Sequence, residues 1–436
     1  MSKMSECIAF ITEHYLQYNT IRYDAISNKL QIQVVPTSPS TGEAGVTLWR
    51  EMNSIDINNI VCQCAQECQA NITSSDVMTV LKSDLVPKVH PLRDYVESLK
   101  PYTPDQPDWI DMVARQVKTV RPHLTSPSRG GNESESTLPL EGGDGGDPAD
   151  TLWRECFKRW FVAMVTSWMK DEVVNHTCLI LVGRQGCFKS SFLESLIPPH
   201  LRSYSCKMPI SSQLSKDERL RIAEFGMINL DELDCLSARE MSMLKSLMTA
   251  TDVNERAAYA YTKERRMRLA SFCGSTNNRE FLSDLSGSRR WLPFEVESIQ
   301  NPFHTTLPYD LMYAQAKYLA ESGTFTYWFD SDEIAVLEQH NEEFRSRAGE
   351  EELLPILFDV PAEGKGEFMT TAQISERLVT YGGIKKPMAM SQLGKVMLKA
   401  GFTPVRRRLS HTVVRGWLVY QRVVTEIDAN KKRLAK

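Results

Sequence analysis

Short apolar runs alternate with amphipathic helical segments through the middle of the chain. Four runs have the length and composition of buried strands: 178–182, 226–230, 269–274 and 291–296. Apolar residues recur at helical spacing in the three segments between them: 190–196, 216–224 and 238–248. This alternation is typical of α/β domains built on a parallel sheet. We therefore predict an α/β core with a mainly parallel central sheet over 151–300.

A polar stretch separates this core from the N-terminal part of the chain. Residues 125–150 are dense in Gly, Ser, Pro and acidic residues and nearly lack large apolar side chains. Such a segment cannot offset the entropy lost on ordering, so we predict a flexible linker. Before it, residues 1–124 contain a predicted strand pair in YDAISNKLQIQV and predicted helices near 57–70 and 74–82. They indicate a small α-rich N-terminal module.

Beyond the core the pattern becomes helical and then basic. We assign 301–365 to a helical connector and 366–436 to a C-terminal module, with three helices and a terminal hairpin predicted over 369–424. A Thr-capped helix in MTTAQISERL, a helix in MSQLGKVMLKAGF and basic strands in RRRLSHTVVRGWLVYQRV are typical of a winged helix. We predict a winged-helix-like module.

Composition excludes several classes of protein. The chain is 42% hydrophobic and 24% charged, as soluble proteins are, and no segment has the roughly eighteen uncharged apolar residues of a membrane span. The first residues do not resemble a secretory signal. We therefore expect a cytoplasmic protein that does not contact membranes, with its ten cysteines as reduced thiols. Cys62, Cys64 and Cys68 lack a fourth ligand for zinc.

Charge is distributed unevenly along the chain. The net charge is only −4, yet residues 381–436 carry thirteen Lys and Arg against two acidic residues. Basic strands suit contact with a phosphate backbone, so Arg406, Arg407 and Arg408 are candidates for DNA binding. Winged helices also dock proteins, and that alternative stays open.

The first candidate site is a loop between a buried strand and a helix, in TCLILVGRQGCFKSS. Gly183, Lys189 and Ser190 match the GxxxxGK[ST] pattern of phosphate-binding loops, but Phe188 stands where a Gly is expected. An ordinary helix cap is the alternative. The predicted nucleotide-binding residues are Gly183, Arg184, Gln185, Gly186, Cys187, Phe188, Lys189, Ser190 and Ser191.

Polar residues follow the next strands of the predicted sheet. Asp231 and Glu232 end the run FGMINL, where Asp231 with Ser190 would hold Mg²⁺ and Glu232 would polarise the attacking water. A solvated strand end is the alternative. Asn277 ends the third strand and can orient that water, because parallel strands bring their carboxyl ends to one edge. Arg289 and Arg290 could neutralise charge that develops on the γ-phosphate.

A further basic segment lies between the acidic pair and Asn277. Alternation on both sides of Thr262 predicts a hairpin with Lys263, Arg265 and Arg266 near its tip. Basic tips suit contact with the DNA backbone. The alternative is a charged hairpin that faces solvent.

Together these motifs resemble one known family. The order GRQGCFKSS, INLDELD, Lys245, the Arg-rich hairpin, GSTN and DLSGSRRW resembles the virulence-associated protein E family, which is similar to superfamily 3 helicases and to poxvirus-type primase-helicases. The resemblance is strongest over 153–296. HPLRDYVESL and the C-terminal module also resemble segments that flank the core in members from phages and bacterial, Bacteroides-type mobile elements.

The resemblance implies a P-loop, AAA+-like hexamer that encircles DNA, which we expect to be single-stranded, with ATP between subunits. The short N-terminal part has no recognisable polymerase-type acidic set, so we expect any primase to be a separate protein. It implies that Lys189, Ser190, Asp231, Glu232 and Asn277 serve ATP, and that Arg289 or Arg290 reaches ATP from within the subunit or from the next one. The leading hypothesis is an ATP-dependent DNA helicase or translocase for replication of a mobile element or phage. The alternatives are an ATP-binding assembly factor and, more weakly, a small-molecule kinase.

Overall fold

The computed structural model describes residues 2–34, 48–120, 148–208, 215–231, 233, 238–255, 264–282, 288–346, 349–361, 366–384, 387–409 and 412–422. The chain forms two compact units, Met1–Arg345 and Ser346–Lys436. Both contain helices and sheets, and this confirms the predicted α/β character of the chain. The unit boundary lies inside the segment predicted as a helical connector.

The first unit begins with a small sheet packed against helices. The sheet has the order β3-β2-β1-β4, and its strands are β1 (Ile21–Asp24), β2 (Lys29–Val34), β3 (Leu48–Glu51) and β4 (Lys88–Val89). The helices are α1 (Lys3–Ile11), which continues as a π-helical turn at Thr12–Leu16, α2 (Ser54–Glu67) and α3 (Ser74–Leu81). Asn53 and Thr73 cap α2 and α3 through reciprocal hydrogen bonds with the third helical residue. The predicted strand pair and both predicted helices are confirmed.

A second sheet forms the centre of the first unit. Its order is β5-β12-β6-β11-β8-β7, and its strands are β5 (Val117–Thr119), β6 (Cys178–Val182), β7 (Ser205–Lys207), β8 (Met227–Leu230), β11 (Ser271–Thr276) and β12 (Trp291–Ile299). All neighbours are parallel except β5, which runs antiparallel to β12 at one edge. Strands β6 and β8 are buried throughout, as a sheet covered on both faces requires.

Further helices complete the first unit. They are α4 (Pro91–Ser98), α5 (Trp109–Ala114), α6 (Pro148–Met169), α7 (Lys189–Ser195), α8 (Lys216–Glu224), α9 (Ala238–Thr249), α10 (Tyr309–Ser322) and α11 (Ser331–Asn341). Three fully buried tryptophans anchor α6. The indole nitrogens of Trp153, Trp160 and Trp168 donate to backbone carbonyls of α5, β11 and Gly226, at 2.9, 2.9 and 3.1 Å. A buried indole is stable only where its N–H finds such a partner.

The junction between N-terminal part and core differs from the sequence prediction. Helices α4 and α5 and strand β5 share one hydrophobic core with α6, so the chain up to Thr119 is not wholly a separate module. Helix α6 begins at Pro148, inside the segment predicted as a linker, and Asp150 accepts hydrogen bonds from the backbone and hydroxyl of Thr119. The rest of that predicted linker, 125–147, lies outside the described residues.

A two-stranded hairpin forms a separate small sheet of the first unit. Strands β9 (Asp252–Glu255) and β10 (Glu264–Met267) pair antiparallel, as the sequence predicts, with Glu264 beside Glu255. The residues that join them, 256–263, lie outside the described part of the chain.

The second unit packs three helices against antiparallel strands. Its helices are α12 (Gly349–Leu357), α13 (Thr371–Gly382) and α14 (Met390–Lys399), and its strands are β13 (Phe358–Asp359), β14 (Glu367–Met369), β15 (Pro404–Leu409) and β16 (Thr412–Gln421). Strand β16 pairs with the other three. The predicted Thr cap is confirmed at Thr370, which forms a reciprocal capping box with Gln373.

The prediction of three helices between Met369 and the terminal hairpin was wrong. The described residues of that stretch form two, and the third helix of this unit, α12, precedes it. Helix α13 ends where Gly383 adopts a left-handed conformation at φ +62°. Pro387 then disfavours helix before α14 begins.

Two features are absent from the part of the chain that the structure describes. No helix there has the length and apolarity to cross a membrane. No group of three or more His, Cys, Asp or Glu side chains is arranged there to hold a metal ion. The cysteines in the described ranges are free thiols.

Candidate functional site

A glycine-containing loop, residues 183–188, connects β6 to α7 and is called the glycine loop below. Its first residue, Gly183, donates a backbone hydrogen bond of 3.1 Å to the carbonyl of Thr276. A Cβ at Gly183 would lie 3.2 Å from the carbonyl oxygen of Val296, so a side chain would crowd the adjacent strand. Gly186 has φ +84°, which L-residues rarely adopt. Two positions of the loop thus favour glycine.

Phe188 resolves the mismatch with the phosphate-loop pattern. It precedes α7 with φ +64° and ψ +16°, the left-handed conformation in which glycine is ordinarily found. Holding a bulky residue there costs about 1–3 kcal/mol. The backbone therefore follows a path that suits glycine even though the side chain is phenylalanine.

Lys189 lies at the start of α7 with its side chain folded back over the loop. Its residue surface is only 6% exposed. The ammonium donates to the carbonyls of Gly183 at 2.8 Å and Arg184 at 2.7 Å, and to Oδ1 of Asn277 at 3.0 Å. A cation held by neutral acceptors keeps its positive charge for an anion.

A carboxylate and two hydroxyls meet beside this lysine. Ser190 Oγ lies 2.9 Å from Ser275 Oγ and 3.5 Å from Asp231 Oδ1. The hydroxyl of Ser275 donates to the same Asp231 oxygen at 3.1 Å. Hard oxygen donors of this kind are the ligands that Mg²⁺ prefers.

Ser275 was missed by the sequence analysis. It lies on β11 two residues before Asn277, and residues two apart in an extended chain place their side chains on the same face of the sheet. The two-residue spacing of Ser275 and Asn277 in GSTN was therefore the sequence signal that could have identified Ser275. Its hydroxyl bridges the two predicted metal ligands, which no single-motif comparison would reveal.

The predicted site residues at the carboxyl ends of β6, β8 and β11 therefore converge. A cavity of about 390 Å³ is lined by residues 185–191, Asp231, residues 275–277 and Phe303. Glu232, the predicted water-polarising acid, lies outside the described residues.

The two arginines lie at the other end of the sheet. Arg289 and Arg290 immediately precede β12, whose first residue, Trp291, is in register with Cys178, the first residue of β6. The glycine loop follows the last residue of β6. At about 3.3 Å per residue, the five residues of β6 place the arginines about 16 Å from the loop. This separation disfavours the alternative in which they reach the phosphate from within the same subunit, and which subunit supplies the arginine stays a prediction.

The arginines instead line a second cavity of about 310 Å³, which also includes His176, Tyr327, Trp328 and Phe329. Burial, and then the charge of Arg289, lower the pKa of Arg290. Burial also lowers the pKa of His176, whose Nδ1 lies 3.1 Å from the carbonyl oxygen of Met248. Arg289 is exposed and Arg290 is partly buried.

The two cavities and their strands lie within one segment that is similar to a known domain. Residues 146–346 match the virulence-associated protein E-like domain. This match supports the predicted resemblance to that family over those residues. The proposed relation to superfamily 3 helicases stays a prediction.

No curated protein matches the chain. Two apo structures of the NrS-1 C-terminal region (305–718) resemble it with TM-scores of 0.44, at 11% and 10% identity, covering 95% and 96% of this chain and all of theirs. A further A-form apo structure of that region has a TM-score of 0.41 at 11% identity, covering 93% of this chain and 98% of its own.

The basic candidates for DNA contact are distributed inside and outside the virulence-associated protein E-like domain. Within it, Arg265 is on β10 with its side chain 69% exposed beside Asp252, whereas Arg266 is 11% exposed and pairs with Glu224 at 2.8 Å. Neither lies in the segment that joins the strands. Lys263 lies outside the described residues.

Outside that domain, Arg406, Arg407 and Arg408 are all exposed on β15 of the second unit. The guanidinium of Arg407 stacks over the ring of Phe368 at 5.6 Å. Three consecutive exposed cations on one strand are available to a polyanion.

Proposed function

We propose that this protein is an ATP-dependent DNA helicase or translocase that serves replication of a mobile element or phage. The observation that supports it most is the convergence of Lys189, Asn277 and the Ser190–Asp231–Ser275 cluster on one cavity. A triphosphate requires a cation such as the buried Lys189, and the Mg²⁺ that accompanies it requires oxygen donors beside that cation.

Each side chain has a role in this proposal. Lys189 binds the β- and γ-phosphates, and the glycine loop wraps them as a P-loop does. Ser190 and Asp231 hold Mg²⁺, which when bound neutralises charge on the phosphates. Glu232 polarises the attacking water and Asn277 orients it. The hydrogen bond of Asn277 to Lys189 keeps both groups at the same end of the cavity.

The position of the arginines favours a ring of identical subunits. Because Arg289 and Arg290 are at the opposite end of the sheet from Lys189, they can serve ATP only from a neighbouring copy. A head-to-tail ring, such as an AAA+-like hexamer, brings those opposite ends together. Arg289 is the better candidate because it is the exposed one.

DNA contact completes the proposal. Single-stranded DNA would bind the β9–β10 hairpin through Lys263 and Arg265, and the winged-helix-like second unit through Arg406, Arg407 and Arg408. Arg266 is the weaker candidate because its charge is already paired with Glu224. A primase would act as a separate partner.

ATP hydrolysis with and without single-stranded DNA tests the proposal, with wild type compared with Lys189→Ala and Glu232→Gln across a salt titration. We expect turnover that DNA stimulates, that salt weakens and that both variants lose. Near-normal hydrolysis in either variant would contradict the site assignment.

The second candidate is a DNA-binding assembly factor that uses ATP to form a ring or recruit a primase. The strained Phe188 favours it, because a loop with an unusual residue can bind phosphate without rapid turnover. ATP-dependent assembly on DNA without hydrolysis would support this candidate. Strand separation coupled to hydrolysis would exclude it.

A further inference from the structure

A third cavity lies directly beside the proposed phosphate site. It has a volume of about 410 Å³, within the range of small-molecule sites. Three residues of the α7 segment, Ser191, Glu194 and Ser195, form one wall, and β7 contributes Cys206 and Lys207. Ser191 and Phe303 line both this cavity and the phosphate site, so a ligand can extend from one to the other.

Asn229 of β8 is an unusual residue on the wall of this cavity. Its side chain is fully buried, yet both Nδ2 and Oδ1 lack a hydrogen-bond partner in the described structure. A buried amide without partners costs about 1–3 kcal/mol for each unsatisfied group. Nothing in the hydrolysis site uses Asn229. A ligand that offers an adjacent donor and acceptor would satisfy both atoms.

Phe303 supplies a flat apolar surface at the same cavity. Its side chain is 76% exposed, the most exposed of the large hydrophobic residues in the described chain. Its ring meets that of Phe188 edge-to-face, with centroids 6.3 Å apart. The face of an exposed aromatic ring beside a phosphate site suits stacking by a nucleobase.

We propose that this cavity binds the adenine base of the nucleotide, with Phe303 stacking on the ring and Asn229 hydrogen-bonding its edge. An amide offers one donor and one acceptor side by side, which matches the N6 amino group and N7 of adenine. Guanine presents two acceptors, O6 and N7, along that edge. This inference rests on the proposed function, because the phosphates must occupy the glycine loop for the base to reach this cavity.

Binding of three probes separates the base from the phosphates: Mg–ATP, Mg–GTP and magnesium tripolyphosphate, measured by calorimetry on the full chain. Wild type should bind ATP more tightly than GTP and more tightly than tripolyphosphate. Phe303→Ala should weaken ATP binding at least about ten-fold and weaken tripolyphosphate binding by a much smaller factor, because Phe303 lines the phosphate site but tripolyphosphate has no base to stack on it. Tyr18→Ala, which removes another exposed aromatic ring, is the matched control and should change neither.

Asn229→Leu tests the edge contact separately. It should abolish the preference for ATP over GTP without changing tripolyphosphate binding, and because it removes an unsatisfied buried amide it should not lower the unfolding temperature. That temperature shows that the variant is folded.

The outcomes distinguish the two proposals. If Phe303→Ala leaves ATP affinity unchanged, or if Asn229→Leu keeps the wild-type preference for ATP over GTP, the base site is overturned while the phosphate site stands. If wild type binds neither ATP nor tripolyphosphate, the proposed function itself fails and the base site fails with it.

Discussion

Trp291 lies beside Cys178 in the central sheet, and this pairing aligns the start of β12 with the start of β6. Arg289 and Arg290, which immediately precede Trp291, are therefore at the amino ends of the strands, while the glycine loop is at the carboxyl ends. The register of the strands therefore determines how far apart the motifs lie along the sheet. The residues that we propose to serve one ATP therefore lie at opposite ends of the sheet.

We expect two inactive variants to restore activity when mixed. Lys189→Ala removes the phosphate-binding lysine but keeps the arginines, whereas Arg289→Ala keeps the lysine. In a mixed ring, an intact site of the second variant can face an intact arginine of the first. ATP hydrolysis by the mixture should therefore exceed that of either variant alone.

The control for mixing is Lys189→Ala combined with Asp231→Asn, both of which damage the same end of the sheet. Every site in that mixed ring lacks either Lys189 or Asp231, whichever neighbour supplies the arginine, so hydrolysis should not recover. If the first mixture assembles but its ATP hydrolysis does not recover, the result would contradict the idea that the arginines act between subunits.

Much of the fold was predictable because its signals are local. Strand β6 is a continuous apolar run, β8 is apolar except for Asn229, and β11 overlaps the run 269–274; the polar residues that follow these strands mark the carboxyl edge of a parallel sheet. The clustering of Lys189, Asp231 and Asn277 follows from that geometry alone. The predicted hairpin and the helices that cover the sheet are similarly encoded in short segments.

What the sequence concealed depends on contacts between distant segments. The register of Trp291 with Cys178 depends on strand pairing across more than a hundred positions, so motif order could not locate the arginines. The inclusion of α4, α5 and β5 in the central core depends on burial against α6. Ser275 was missed because its role arises only where β11 and β8 lie side by side.

Ser275→Ala should weaken Mg²⁺ binding without removing a predicted ligand. Its hydroxyl holds both the Asp231 carboxylate and the Ser190 hydroxyl in place, and loss of such a supporting group typically costs about 10–100-fold in metal affinity. The Mg²⁺ concentration that half-saturates nucleotide binding measures the effect. Ser271→Ala, on the same strand and also buried, should leave that concentration unchanged. Equal effects of the two variants would show a general loss of packing.

Substitutions at Phe188 should depend on backbone conformation rather than on size. Phe188→Gly should keep tripolyphosphate affinity within a few-fold of wild type, because glycine adopts φ +64° without strain. Phe188→Val should lose at least about ten-fold, because a β-branched residue is a severe outlier there. Because tripolyphosphate has no base, calorimetry with magnesium tripolyphosphate measures the effect on phosphate binding alone. Similar affinities for both variants would show that the left-handed conformation is not required.

Arg268→Met should destabilise the first unit strongly. The buried guanidinium donates to carbonyls at the end of α9, including Leu247 at 3.3 Å, and to Asn175 at 2.7 Å. Burial lowers the pKa of Arg268 to about 9, yet it stays charged at neutral pH. Its loss leaves several buried acceptors unpaired, and we expect unfolding to become easier by more than about 3 kcal/mol. Arg265→Met, at an exposed pair with Asp252, should cost less than about 1 kcal/mol in the same denaturant titration.

Stability should fall as the solution is acidified, and His340 should contribute to the fall. Burial lowers the pKa of His340, whose Nε2 lies 2.7 Å from the carbonyl oxygen of Pro293. In the unfolded chain His340 therefore takes up a proton near pH 6.5, whereas in the folded chain it does so only at lower pH. Its contribution is complete above about pH 6.5 and is lost as pH falls through the lower folded pKa.

Unfolding free energies of wild type and His340→Gln, measured from pH 8 to pH 5, isolate that contribution. Glutamine can still donate to Pro293 but does not titrate, so its curve should fall less steeply below about pH 6.5. The variant also loses the ring contact with Phe294, which lowers stability at every pH alike. The slope, and not the absolute stability, is therefore the diagnostic quantity. Parallel curves would show that His340 takes up its proton equally in the folded and unfolded states, and burial of its ring would then have no electrostatic consequence.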